Sequence, residues 1–252
     1  MPWLWKAPLT TGPSLEFEFP VGDSPTPFAA VSVGRGCLLD SRRALYHESR
    51  QWLAVADVHF GYELNRTRQH GALLPQWGMA ATEQRLVDLL DHYRPTTLVL
   101  AGDIMDGGGS IHETMKLLDR LRTRVKELVC VAGNHDRPAL KRDGRLIPWH
   151  RDEGFVFQHG HRFRAVLEMT AGAGDVVHIA GHEHPALHFG DGAGLRLKFP
   201  ALVQDRIAAA GIEHWILPAF SPWAGGAVYD SPNERLATWA CAETRVIKAG
   251  TK

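Results

Sequence analysis

No apolar run in this 252-residue chain approaches the roughly 20 residues that a membrane-spanning helix needs. An excess of charge of one sign is missing too. Lysine and arginine number 28 against 28 aspartate and glutamate, so no whole-molecule field draws the chain to nucleic acid or an anionic membrane. Cysteine is scarce: Cys37, Cys130 and Cys241 are far apart, with no CxxC pair, which excludes a zinc ribbon and a disulfide framework. Reduced thiols are expected, with Cys130 as a small core residue inside the apolar run Leu128 to Val131. The start, Met1 to Lys6, lacks the basic and long apolar stretches of a secretory signal. These absences predict a soluble, cytoplasmic protein. There is no internal repeat and no domain linker. Histidine, by contrast, is plentiful at 14 residues, and it is the commonest metal ligand near neutral pH.

Residues 1–27 are rich in proline, glycine, serine and threonine without a sustained period. They read as an N-terminal arm, either disordered or docked through Trp3, Trp5, Phe17 and Phe19. Residues 28–252 read as one domain. Short strands are expected at Ala30–Val33 and Cys37–Leu39, with Tyr46 to Arg50 as a turn. Apolar runs of strand length then recur at Trp52–Ala56, Leu98–Ala101, Leu128–Ala132, Phe155–Phe157 and Val176–Ala180. Helices fill two of the gaps. Met79, Leu86, Leu89, Leu90 and Tyr93 form one stripe between Pro75 and Tyr93; Ile111, Met115, Leu118, Leu121 and Val125 form another. Ser110 and Glu113 have the spacing of a capping box. Later runs, Arg196–Phe199, Trp215–Leu217 and Ala227–Tyr229, suggest a second sheet. Alternating strands and helices predict an α/β fold with polar residues gathered at strand carboxyl ends.

Each apolar run of the central series ends in groups that bind metals. Asp57-Val58-His59 follows the first; in an extended segment both side chains would address one ion. Gly102-Asp103 follows the second. Gly133-Asn134-His135-Asp136 follows the third, and this succession on a glycine turn has little structural use unless something binds there. Gln158-His159-Gly160-His161 follows the fourth, with His161 an alternative ligand to His159. Gly181-His182-Glu183-His184 follows the fifth. Any one block has a bland explanation; five in order do not.

That order resembles the calcineurin-like metallophosphoesterase superfamily over residues 57 to 184. The resemblance implies an α/β fold in which a two-sheet β-sandwich is flanked by helices, a four-layer α/β/β/α arrangement, with two divalent metal ions at the strand ends. Position by position, it assigns Asp57, His59, Asp103 and His184 to one ion. It assigns Asp103, Asn134, His159 and His182 to the other, with Asp103 bridging. His135 matches the non-ligating histidine beside the leaving group, with Asp136 orienting it. Further segments, Arg43 to Tyr46, Gly61-Tyr62-Glu63, Leu74-Pro75, Leu217 to Phe220 and Gly225-Gly226, look like the ICC-like phosphoesterase group. That group includes ligase-associated DNA-damage-response endonucleases.

The expected activity is hydrolysis of a phosphate ester, a phosphodiester by resemblance, through attack of a metal-bridging hydroxide. A ligand set of carboxylate, imidazole and amide suits manganese first, with iron or zinc as alternatives. An alternative is a DNA or RNA endonuclease or phosphodiesterase acting with a ligase or helicase; a second is a non-catalytic scaffold of the same fold. Arg137 is either a contact to substrate phosphate or a solvated arginine. Asp106 either supports the ligands from behind or stabilises its turn. The basic run Arg120, Arg122, Arg124 and Lys126 reads as the solvated face of a helix.

Overall fold

The computed structural model describes residues 28–71, 77–142, 144–170, 175–190, 194 and 196–250. The expected arm 1–27 and the pair Leu74-Pro75 lie outside the described residues.

Antiparallel strands open the first sheet: β1 (Ala30–Gly34), β2 (Cys37–Asp40), β3 (Ala44–His47) and β4 (Trp52–Val55). Tyr46 and His47 belong to β3, so the turn expected from Tyr46 begins two residues later. Helices α1 (Tyr62–His70) and α2 (Trp77–Tyr93) lead to β5 (Thr97–Ala101), and α3 (Ile111–Arg122) leads to β6 (Glu127–Val131). The short α4 (Pro138–Arg142) precedes β7 (Leu146–Ile147). Strands β4 to β7 are parallel neighbours, so their carboxyl ends lie along one edge. Ser110 caps α3, accepting a 3.3 Å hydrogen bond from the Glu113 N–H; the Glu113 carboxylate turns to Lys116 instead of completing the box.

The second sheet contains β8 (His150–Asp152), β9 (Phe155–Phe157), β10 (Val177–Ala180), β11 (Ala186–Gly190), β12 (Arg196–Ile207), β13 (Ile212–Ile216), β14 (Glu234–Ala242) and β15 (Arg245–Lys248), with α5 (Phe163–Thr170) between β9 and β10. Strands β9, β10 and β13 are parallel. The strand expected at Ala227–Tyr229 does not form. Ala227 makes only an isolated bridge to Pro185, and Val228 is exposed, leaving no partner face for a longer ladder.

Strand alternation builds the layers. In β4, Trp52 and Ala54 face the second sheet, meeting Phe155, Phe157, Ile179 and Trp215 in the core between the sheets. Their neighbours Leu53 and Val55 face outward onto Leu86, Leu89, Leu117 and Leu121 of α2 and α3. On the far side, α5 places Val166 over Val156. The result is a two-sheet sandwich with helices outside both sheets. At the site end the sheets are tied by a crossing segment: Leu217 N–H donates to Ala180, Phe220 N–H to Ala56 and Ser221 N–H to Asp57. Among the described residues, no helix is long and apolar enough to cross a membrane.

Trp52 is 1% exposed, and its indole meets Phe155 and Phe157 edge-on at 5.2 and 5.1 Å across the sheet interface. Trp52→Ala removes the largest contact between the layers and should cost about 3–5 kcal/mol. Denaturant unfolding followed by far-UV circular dichroism checks this; a loss below about 1 kcal/mol would show that the sheets are held together elsewhere.

Candidate metal centre

The loops leaving β4, β5, β6, β9 and β10 carry the motif residues, and the two sheets bring those loops together. Asp57, His59, Asp103 and His159 are buried, at 0, 8, 1 and 1% exposure, while Asn134 and His135 are exposed at the mouth. Donor atoms of Asp57, His59 and His184 lie within 4.8 Å of one another, and so do those of Asp103, His159 and His182.

The second group is the tighter. His159 Nδ1 sits 3.4 Å from the Ala101 carbonyl, which can only accept, so Nδ1 donates there and Nε2 is the atom open to a metal. That Nε2 faces Asn134 Oδ1 at 2.8 Å, Asp103 Oδ2 at 3.2 Å and His182 Nδ1 at 3.2 Å. In the first group, His184 Nε2 is 3.3 Å from His59 Nε2 and 3.5 Å from Asp57 Oδ1. Donor atoms about 3 Å apart are what ligands about 2.0–2.2 Å from one small cation require. Asp103 serves both groups: Oδ2 is 3.2 Å from His159 Nε2 and 4.0 Å from His59 Nε2, and Oδ1 accepts the His135 N–H at 2.8 Å.

Among the described residues, histidines are the only basic partners that pair with Asp57 and Asp103. Two buried carboxylates without a lysine or arginine are costly unless another cation arrives. In the metal-free protein, protons take that place. Burial disfavours charge on His59 and His159, yet the Asp106 contact and the nearby Asp57 and Asp103 raise His59, and Asp103 with Asp57 raises His159. Burial would push Asp103 up, but His159 above all, then the His135 N–H and His59, hold it down to about 2. The residues present therefore fit a pair of divalent ions.

Backbone geometry makes this convergence possible, and it differs from the alternation expected for Asp57 and His59. Strand β4 ends at Val55, and Asp57, His59, Asp103, His182 and His184 all have positive φ, between 45° and 76°. Left-handed backbone costs a non-glycine residue about 1–2 kcal/mol, and such strain concentrates at functional sites. Neighbouring glycines allow the close approach. A Cβ on Gly133 would stand 2.1 Å from Asp103 N and Oδ1, and one on Gly181 would stand 2.5 Å from Asp57 Oδ2.

Other expected residues sort as follows. His161 is exposed and outside both donor groups, and burial together with His159 lowers it to about 4, so His159 takes the inner position. Asp136 does not reach the His135 ring. Its oxygens accept the Gly133 and Met105 N–H groups at 2.8 and 3.0 Å, so it fixes the glycine turn. Asp106 lies behind the ligands, with Oδ1 3.6 Å from His59 Nδ1, and its carbonyl accepts the Gly109 N–H within its own turn. Arg137 is exposed, with Nε donating to the Gly107 carbonyl. Arg120 and Arg124 pair with Glu83 and Asp91, as a solvated face would.

A cleft of about 360 Å³ opens over this centre, lined by His59, His135 and His184 together with Tyr62, Asn65, Arg66 and Trp223. Asn65, Arg66 and Trp223 carry no sequence motif. Asn65 donates to Asp106, which links it to His59; Trp223 stacks on Tyr62 with centroids 6.1 Å apart and planes 13° from parallel.

Among families of known proteins, calcineurin-like phosphoesterase matches residues 52–247, the stretch that contains every strand-end block. The chain belongs to that family. It is a metal-dependent phosphoesterase with the two-sheet fold of its relatives. The structure of the Pseudomonas putida nuclease MPE is similar, at 25% identity and a TM-score of 0.61, covering 88% of this chain and 100% of that one. The Escherichia coli phosphoesterase YfcE matches at 16% identity and a TM-score of 0.41, covering 78% and 96% of the two chains. No curated protein matches.

In the metal-free phosphoesterase, His59 and His159 have raised proton affinities, and a metal must displace those protons. Groups raised above the ordinary histidine value stay protonated to higher pH, so metal binding releases protons and strengthens from pH 6 to pH 8. Calorimetric Mn2+ titrations in buffers of different ionisation enthalpy check this. An affinity independent of pH, with no proton release, would contradict it.

Proposed function

We propose that the chain is a dinuclear phosphodiesterase. Asp57, His59, Asp103 and His184 hold one divalent ion, and Asp103, Asn134, His159 and His182 hold the other. The supporting observation is the pair of donor groups meeting at Asp103 beneath a single open cleft. Manganese suits this set best, with iron or zinc as alternatives, because every donor is a nitrogen or oxygen. When bound, two such ions supply Lewis-acid charge and an activated water at neutral pH.

The protein's own groups do the rest. Buried Asp57 and Asp103 fix the ions' positions because their remaining contacts are to backbone: His182 N–H donates to Asp57 at 2.9 Å and His135 N–H to Asp103 at 2.8 Å. His135 stands on the exposed rim, its ring 5.3 Å from that of His59, on the side from which a phosphate ester enters. It gives a proton to the departing alkoxide, whose basicity otherwise makes it a poor leaving group. Asp136 acts through the backbone by holding the turn that presents Asn134 and His135. Arg137, exposed two residues after His135, contacts substrate phosphate in this reading.

A second reading narrows the substrate to a nucleic acid strand, as for an endonuclease working with a ligase or helicase, which would accord with the ICC-like resemblance. Similarity to a protein described as a nuclease favours it, as do the aromatic edges of Tyr62 and Trp223 and the Arg66 guanidinium in the cleft wall. A non-catalytic scaffold is disfavoured because the donor set is complete and His135 is in place.

His135→Ala should retain both metals by elemental analysis and lose little turnover on bis(4-nitrophenyl) phosphate, whose nitrophenolate departs without a proton, while kcat on a thymidine dinucleotide, whose leaving group is an alkoxide, falls about 10²–10⁴-fold. Dinucleotide turnover equal to that of the unaltered protein would refute the acid role. Loss of metal along with turnover would make His135 a positioning residue instead.

A further inference from the structure

A second cavity of about 310 Å³ adjoins the metal cleft, and the two share His184, Trp223, Ala224 and Gly225. Nothing in the chemistry above uses it. Its floor is mostly apolar, formed by Pro185, Ala186, Pro200 and Pro222, and two cations enter it, Arg43 and Lys198. We infer that this cavity is a subsite for a second phosphate group of the same substrate, one unit along from the phosphodiester at the metal centre. The inference rests on the proposed phosphodiesterase reading.

The charge pattern carries it. Among the arginines, Arg85 and Arg137 donate to carbonyls, whereas Arg35, Arg42, Arg50, Arg120, Arg124, Arg145 and Arg235 each meet a carboxylate. Arg43 and Lys198 do not, among the described residues. The Arg43 guanidinium donates to two carbonyls, Ala219 at 3.3 Å and Ser221 at 2.8 Å. The Lys198 ammonium donates to the Gly226 carbonyl at 3.3 Å. Carbonyls orient these groups without neutralising them. The partly buried Arg43 beside the apolar floor is poorly screened and so a strong anion ligand, and Lys198 adds a second charge from the rim.

The geometry fixes which anion. His184 is a donor of the metal centre and also a wall of the second cavity, so a molecule filling both lies across one imidazole. Gly226 lets the cavity wall pack tightly behind His184: with φ +60°, a Cβ there would stand 2.9 Å from both the His184 carbonyl and Ala186 Cβ. Lys198 is exposed on β12 and holds a flexible charge at the rim, whereas Arg43 is clamped under the Ala219–Ser221 segment and supplies a fixed one. A strand with successive phosphates meets this pattern, and an ester with a single phosphate leaves the second cavity empty.

The test measures binding to the full-length Mn2+-loaded protein by tryptophan fluorescence. Three ligands are compared: a thymidine dinucleotide with only its internal phosphodiester, and the same dinucleotide with an added phosphate at the 5′ or the 3′ end. The unaltered protein should bind one of the two phosphorylated forms about tenfold more tightly than the plain dinucleotide, as a charge-assisted contact implies. Lys198→Ala should erase that gain while leaving the plain dinucleotide's affinity unchanged, and Lys198→Arg should keep it. No gain from either terminal phosphate, or a gain that survives Lys198→Ala, would overturn the subsite. In all three ligands the internal phosphate carries a methylene in place of its bridging ester oxygen, which keeps the charge and prevents cleavage, and hydrolysis of the ordinary dinucleotide is measured separately. An absence of hydrolysis would therefore count against the phosphodiesterase reading and leave the subsite to be judged on affinity.

Discussion

Two carboxylates, Asp57 and Asp103, lie buried at the junction of the two sheets and face imidazoles instead of fixed cations. This electrostatic deficit is the constraint around which the site end of the molecule is built. A buried anion pair of this kind is tolerable only if protons or metal ions complete it. The raised histidines and the depressed Asp103 describe the protonated solution. Ligand atoms about 3 Å apart describe the metallated one.

Much of the surrounding architecture serves to hold that junction. Parallel strands from both sheets aim their carboxyl ends at it, and the crossing segment Leu217 to Ser221 locks the sheets together just behind it. Arg43 and Arg85 grip that segment from below through the carbonyls of Ala219, Ser221 and Phe220. Glycines at 102, 133 and 181 allow the loops to touch; a Cβ on Gly102 would meet His159 Nδ1 at 2.3 Å. The left-handed backbone at five donor residues is strain that the tight packing sustains. The polar rim, with Asn134 and His135 exposed, is left open to substrate.

Much of this was legible in the sequence, for identifiable reasons. The central parallel strands are mostly apolar because both of their faces are covered, and each gives way within three residues to polar groups, after a glycine at Gly102, Gly133 and Gly181. Helices α2 and α3 showed a clean stripe. Helix α1 did not: Tyr62 to His70 contains only Tyr62 and Leu64 as apolar residues, so no period could be seen. Ala227–Tyr229 has strand composition but no neighbouring edge to pair with. Strand alternation does not account for the approach of Asp57 and His59, since both lie past the strand in left-handed turns. The family resemblance assigns Asp136 to orient His135, while its hydrogen-bond partners, the Gly133 and Met105 N–H groups, depend on how two loops pack. Asn65 and Trp223 reach the cleft only through tertiary contact, and no local pattern marks them.

The central claim is that one bridging aspartate joins two metal positions, and anomalous X-ray scattering from crystals grown with Mn2+ tests it most directly. The account predicts two anomalous peaks flanking Asp103, one against Asp57, His59 and His184, the other against Asn134, His159 and His182. A single peak away from Asp103, or no ordered metal at saturating Mn2+, would contradict it.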